Sequence, residues 1–116
     1  MDMKKLLIAE KSDERTEALL RRLSGKFEIH TCSRCDTAVA LIDSLKPDVL
    51  FIDLTLPRSG GLPVLAQAKF SPPVCIARTS FISEKVLLAA HEAGIRHLFR
   101  IPCKPELMAA CIEQYQ

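Results

Sequence analysis

Four short apolar runs restrict the fold of this chain more than any other feature: Leu6-Leu7-Ile8-Ala9, Val49-Leu50-Phe51-Ile52, Val74-Cys75-Ile76-Ala77 and Leu98-Phe99-Arg100-Ile101. They are too short for helices and mostly lack alternation, which suits strands buried on both faces of a parallel sheet. A fifth run, Phe27-Glu28-Ile29-His30-Thr31, alternates and suits an edge strand beside them.

The segments between these runs carry helical spacing. Thr16, Leu19, Leu20 and Leu23 share a face, with Ser12 or Asp13 as N-cap and Gly25 as the stop. Ala38, Leu41, Ile42 and Leu45 form a second stripe that ends at Pro47. Ser83 can cap a third helix carrying Val86, Leu87, Ala90 and Ala93, ended by Gly94. Pro63 can open a short helix reaching Lys69, and Pro105 a last one with Leu107, Met108, Cys111 and Ile112 inward. A strand followed by a helix, repeated five times, predicts a five-stranded parallel α/β sheet, doubly wound. Its ligand site is expected at the carboxyl ends of the strands near the topological switch point.

At 116 residues the chain has room for one core, so residues 1–116 are expected to form one domain. A net charge of +2 lacks the basic excess of a domain held to nucleic acid through phosphate contacts, so no direct nucleic-acid partner is expected. No apolar stretch approaches the roughly 20 residues that span a bilayer, so no membrane partner is expected either. The five cysteines cannot all pair within one chain, and the first residues lead straight into a strand-like run. Reduced thiols and a cytoplasmic location are the expectation.

The strand ends hold Glu10 and Lys11, then Asp53, Thr79 and Ile101-Pro102. The segment from Pro47 to Pro57, with Gly61 eight residues after Asp53, resembles the phosphoacceptor strand and loop of the response-regulator receiver family. The resemblance runs over essentially the whole chain. It takes in Lys4 to Ala9, Pro73-Val74 leading to Thr79, and Glu92-Ala93-Gly94 followed by Ile101-Pro102. It implies the flavodoxin-like receiver fold with strand order 2-1-3-4-5, and a module of two-component phosphorelay signalling rather than an enzyme. It further implies phosphorylation of one aspartate by a histidine kinase or other phosphodonor with Mg²⁺. Asp53 would be the phosphoacceptor and Thr79, fifteen residues before Gly94, the switch hydroxyl, with Arg78 a second alignment for that position. Glu10, Asp53 and Thr55 would be the Mg²⁺ site.

A carboxylate that attacks a phosphoryl group brings anion to anion, so the family surrounds its acceptor with acids holding a divalent cation and with a lysine. This chain departs at both supports: Lys11 follows Glu10 where a second acid belongs, and Ile101 precedes Pro102 where the lysine belongs. An ammonium roughly 4 Å from Asp53 would gain roughly 4 kcal/mol at an effective dielectric of about 20, before desolvation. An ion pair between Lys11 and Asp53 is therefore expected, with Mg²⁺ binding and phosphorylation weakened or abolished. Arg78, Arg96, Arg100 and Lys104 read as solvated surface charge, with a reach into the pocket in place of the missing lysine as the alternative. Leu98 in the family's aromatic position leaves no conventional rotamer switch.

A phosphorylation-independent interaction domain of the same fold is the competing function. Cys32-Ser33-Arg34-Cys35 raises a third reading, a CxxC redox or metal protein, against small apolar side chains as the ordinary role of buried cysteine. His30, His91 and His97 lack metal-site spacing. The expected partners are a histidine kinase or other signalling protein, and a second copy docking through the fourth helix, fifth strand and fifth helix.

Overall fold

Five strands, β1 (Lys5–Ala9), β2 (Glu28–Cys32), β3 (Val49–Asp53), β4 (Val74–Thr79) and β5 (Ile95–Arg100), form one parallel sheet in the order β2-β1-β3-β4-β5. They belong to a computed structural model that describes residues 3–11, 13–56 and 60–116. Helices α1 (Glu14–Leu23), α2 (Cys35–Leu45), α3 (Gly61–Gln67), α4 (Glu84–Glu92) and α5 (Pro105–Glu113) make the connections and cover the sheet. The expected α/β architecture and strand order are both present.

Every residue of β3 is buried because the sheet is covered on both faces. Val49 and Phe51 point into a cluster with Leu19 and Leu23 of α1 and Met108 and Ile112 of α5. Leu50 and Ile52 point the other way, against Ala38 and Ile42 of α2 and Val64 of α3. Alternation along each strand therefore divides the core in two, and the same parity decides where polar residues at the strand ends emerge.

Local chemistry sets the helix ends. The Asp13 carboxylate accepts the Thr16 N–H at 3.0 Å and caps α1; Ser12, the other candidate cap, lies outside the described residues, as does Pro57. Ser83 caps α4 through the Val86 N–H, as its position predicts. Lys46 terminates α2 in the left-handed region, at φ 50°, before Pro47.

Helix α3 differs from expectation at both ends. It opens at Gly61 with Pro63 inside its first turn, where the missing N–H costs no intrahelical bond. It stops at Gln67 because the Asp43 carboxylate takes the Lys69 and Phe70 N–H groups at 2.8 and 2.9 Å.

The last strand is also longer than the run Leu98 to Ile101 suggests, because as an edge strand it tolerates exposed Arg96 and Arg100. Two leucines expected inward are exposed: Leu87 of α4 at 48% and Leu107 of α5 at 58%. Among its residues α4 buries only Ala90, and it gives neither core cluster a fully buried side chain.

Candidate functional site

Glu10, the residue after β1, stands beside Asp53 of β3 and Arg78 of β4 at the ends of three adjacent strands. Counting along β1 from Leu6 and Ile8, along β3 from Val49 and Phe51, and along β4 from Val74 and Ile76, the next residue of the same parity is Glu10, Asp53 and Arg78 respectively. All three emerge at the carboxyl end of the sheet on its α1 and α5 side, and all are buried. Asp53 and Arg78 are direct register partners.

The guanidinium of Arg78 lies between the acids. Its Nε–H donates to Asp53 Oδ2 at 3.3 Å. Glu10 Oε2 lies 2.7 Å from the same nitrogen, but at an angle that makes it an ionic contact rather than a hydrogen bond. Arg78 Nη2 is 3.7 Å from Asp13 Oδ2 at the start of α1, and Nη1 is buried with no hydrogen-bond partner among the described residues.

The carboxylates have further anchors. Thr16 Oγ1 donates to Glu10 Oε1 at 2.7 Å. Asp53 Oδ1 accepts from the Thr55 N–H at 2.8 Å and from Thr55 Oγ1 at 2.6 Å, so both Asp53 oxygens are engaged. Burial pushes the Glu10 carboxyl above its ordinary value, with the charges of Asp53 and Asp13 adding to the effect; the Thr16 hydroxyl and Arg78 oppose it. The Thr16 N–H bond lowers Asp13.

The expected ion pair between Lys11 and Asp53 is corrected by this arrangement. Adjacent residues at the end of an extended strand project to opposite sides, so the turn that sends Glu10 inward sends Lys11 out. Lys11 is exposed and makes no ion pair among the described residues, and the cation beside Asp53 is Arg78. Thr79, the expected switch hydroxyl, has the opposite parity to Asp53; its Oγ1 donates to the Phe81 carbonyl at 3.1 Å and lies 3.3 Å from the Phe81 N–H.

The residues here do not fit Mg²⁺. A hexacoordinate cation needs open oxygen donors, whereas Arg78 stands between Glu10 and Asp53, and Thr55 binds the other Asp53 oxygen. Among the described residues no group of three or more His, Cys, Asp or Glu is disposed to hold a metal ion. Thr55, expected in the Mg²⁺ site, instead positions Asp53.

The position of Arg78 had a signal in the sequence. Asp53 is the fifth residue from Val49 and Arg78 the fifth from Val74, and Val49 and Val74 are register partners. Matching the strands by their first buried valine, rather than by the distance to Gly94, pairs Arg78 with Asp53. Asp13 was legible only as a helix cap, because its approach to Arg78 depends on how α1 docks.

No family model matches the chain. It is 31% identical over 104 residues to the positive alginate biosynthesis regulatory protein of Pseudomonas aeruginosa, a match that takes in 87% of this chain and 41% of that protein. The chain thus spans less than half the length of this relative. Among solved structures it is similar to a CheY-like response regulator receiver domain protein of Methanospirillum hungatei, with a TM-score of 0.85 at 19% identity, covering 97% of this chain and 93% of that one. The BeF3-activated DrrB receiver domain superposes with a TM-score of 0.81 at 20% identity, covering 97% of each chain. The phosphorylated cyanobacterial phytochrome response regulator RcpA gives 0.77 at 17%, over 97% and 90%. The fold is that of response-regulator receiver domains.

Proposed function

We propose that residues 1–116 form a receiver domain of two-component signal transduction in which Arg78 takes the place of the metal ion, so that Mg²⁺-dependent phosphorylation of Asp53 is slow or absent and the domain acts through protein contact. The observation that carries this reading is the position of Arg78 Nε, 2.7 Å from Glu10 Oε2 and 3.3 Å from Asp53 Oδ2.

An in-line attack on a phosphoryl group needs an Asp53 oxygen with a free lone pair facing the donor, and a cation that the incoming phosphoryl oxygens can share. Arg78 supplies positive charge, but its Nε–H is committed to Asp53 itself. Displacing it would leave Glu10, Asp13 and Asp53 as closely spaced anions. Asp53 keeps the acceptor's place in the fold while its surroundings hold it as a structural ion.

Protein contact has a candidate surface where the α4, β5 and α5 face was expected to dock a second copy. Leu88 of α4 is 60% exposed, with Leu87 beside it and Leu107 on α5. A histidine kinase or other signalling protein is the competing occupant.

Incubation with acetyl phosphate and Mg²⁺, followed by intact mass measurement, tests the reading. The expected result is no phosphoryl adduct on the native chain and an adduct on Arg78→Ala. Rapid, stoichiometric modification of native Asp53 would overturn it.

A further inference from the structure

The CxxC segment has no part in the charge network at Asp53. Cys32 is the last residue of β2 and Cys35 the first of α2, so the two thiols flank a tight turn from strand to helix. Both are half-buried and both side chains pack against the same apolar cluster. Cys35 Sγ donates to the Gly60 carbonyl at 3.6 Å. Gly60 and Gly61 close the loop that follows Asp53, and Gly61 N–H bonds back to the Leu54 carbonyl at 3.3 Å.

We infer that Cys32 and Cys35 form a reversible disulfide by exchange with a small-molecule disulfide such as glutathione disulfide, and that closing it releases Gly60 in the loop after Asp53. Three geometric facts point this way: the pair is three residues apart across one turn, it shares one apolar wall, and one member bonds directly to the loop. The CxxC spacing is the one that carries thiol–disulfide exchange elsewhere, and in a reducing compartment such pairs serve transient chemistry rather than permanent staples. None of this depends on how Asp53 is used.

The order of steps follows from the environments of the two thiols. Burial, and then the neighbouring Cys35, push the Cys32 thiol up to about 11, so Cys32 is a poor first nucleophile near neutral pH. The Cys35 sulfur, as thiolate, attacks one sulfur of glutathione disulfide; a mixed disulfide forms and one glutathione thiolate leaves. Cys32 then loses its proton to solvent and attacks the Cys35 sulfur, expelling the second glutathione. Two protein thiols are oxidised, one glutathione disulfide is reduced to two thiols, and the two protons end on them.

The coupling is chemical as well as steric. A disulfide sulfur carries no hydrogen, so oxidation removes the S–H donor from the Gly60 carbonyl, and drawing Cys35 toward Cys32 turns it away from the loop. The other cysteines have no comparable arrangement: Cys75 and Cys111 are buried in opposite core clusters, and Cys103 lies beyond β5.

The test equilibrates the chain with glutathione buffers of rising disulfide fraction, traps the remaining thiols, and maps the peptide holding Cys32 and Cys35. The expected result is the mass of an intramolecular Cys32–Cys35 disulfide, reversed by excess glutathione, with amide shifts at Gly60 and Gly61 that are absent in Cys35→Ser. The Cys32→Ser chain is expected to stop as a glutathione adduct on Cys35. The proposal is overturned by thiols that stay reduced throughout, by a bond to Cys75, Cys103 or Cys111, by stable separate glutathione adducts on both residues of the native chain, or by a disulfide that leaves Gly60 and Gly61 unshifted.

Discussion

Arg78 and Asp53 are register partners on neighbouring parallel strands, and the Arg78 Nε–H reaches Asp53 Oδ2 across 3.3 Å at the buried carboxyl end of the sheet. Because Glu10 completes the row just beyond β1, one guanidinium serves two carboxylates that would otherwise repel each other. Arg78→Ala removes that cation and leaves the acids. Breaking one side of a buried pair costs about 3–5 kcal/mol, so a fall of that size in urea unfolding is expected. Part of the loss should return when Mg²⁺ is added to the variant, while the native chain responds little; unfolding midpoints with and without Mg²⁺ measure both.

The carboxyl of Glu10 gives the site a pH signature. Its folded value is raised above 4.5, chiefly by burial, so the folded state holds this proton more tightly than the unfolded chain does. The stability linked to Glu10 is therefore fully present below about 4.5 and is lost as pH rises through the raised folded value. Glu10→Gln cannot titrate, so the native chain should lose ground to it as pH climbs from about 4.5 toward neutrality. Melting temperatures of the two chains across that range give the sign; a gap that widens in favour of the native chain contradicts the assignment.

Gly61 sets the approach of the loop to the strand beneath it. A Cβ there would lie 2.8 Å from the Asp53 carbonyl oxygen and 3.1 Å from Leu54 Cα, both backbone atoms that cannot swing aside. Gly61→Ala is expected to cost about 1–3 kcal/mol, as overpacked sites do, and to shift the Thr55 amide that holds Asp53. Gly25→Ala separates the two causes of glycine preference: its φ is 81°, a conformation Gly61 does not adopt, and nothing lies within 4 Å of the added carbon, so any loss there is backbone strain without a clash.

Leu88 tests the contact surface. At 60% exposure its replacement by Glu should change stability by no more than about 0.5 kcal/mol, within the range of ordinary surface changes. If a second copy docks on α4, light scattering across a concentration series should show the native chain associating and Leu88→Glu remaining monomeric. A native chain that stays monomeric throughout removes the second copy as occupant.

The strands were legible because burial on both faces leaves an uninterrupted apolar run, and Val49 to Ile52 can hardly be read another way. The same economy hid the site. Parity places Glu10, Asp53 and Arg78 on one side of the sheet, but parity requires register, and register is a relation between segments some 25 residues apart, as for the bond from Arg78 to Asp53. Lys11 stands where the resembled family has its second acid, but as the neighbour of an inward-facing Glu10 at a strand end it points away. Leu87 and Leu107 were misjudged on similar grounds: helical spacing gives the apolar stripe its width, while the docking angle decides how much of it the sheet covers.

Helix α4 holds to the sheet with Ala90 as its one buried residue, while the two core clusters are closed by other elements. The free energy needed to detach it is therefore separate from that of melting the domain, and native-state hydrogen exchange should find its amides opening well before those of β1 and β3. A partner that gripped Leu87 and Leu88 could draw α4 out of place without opening the rest of the domain.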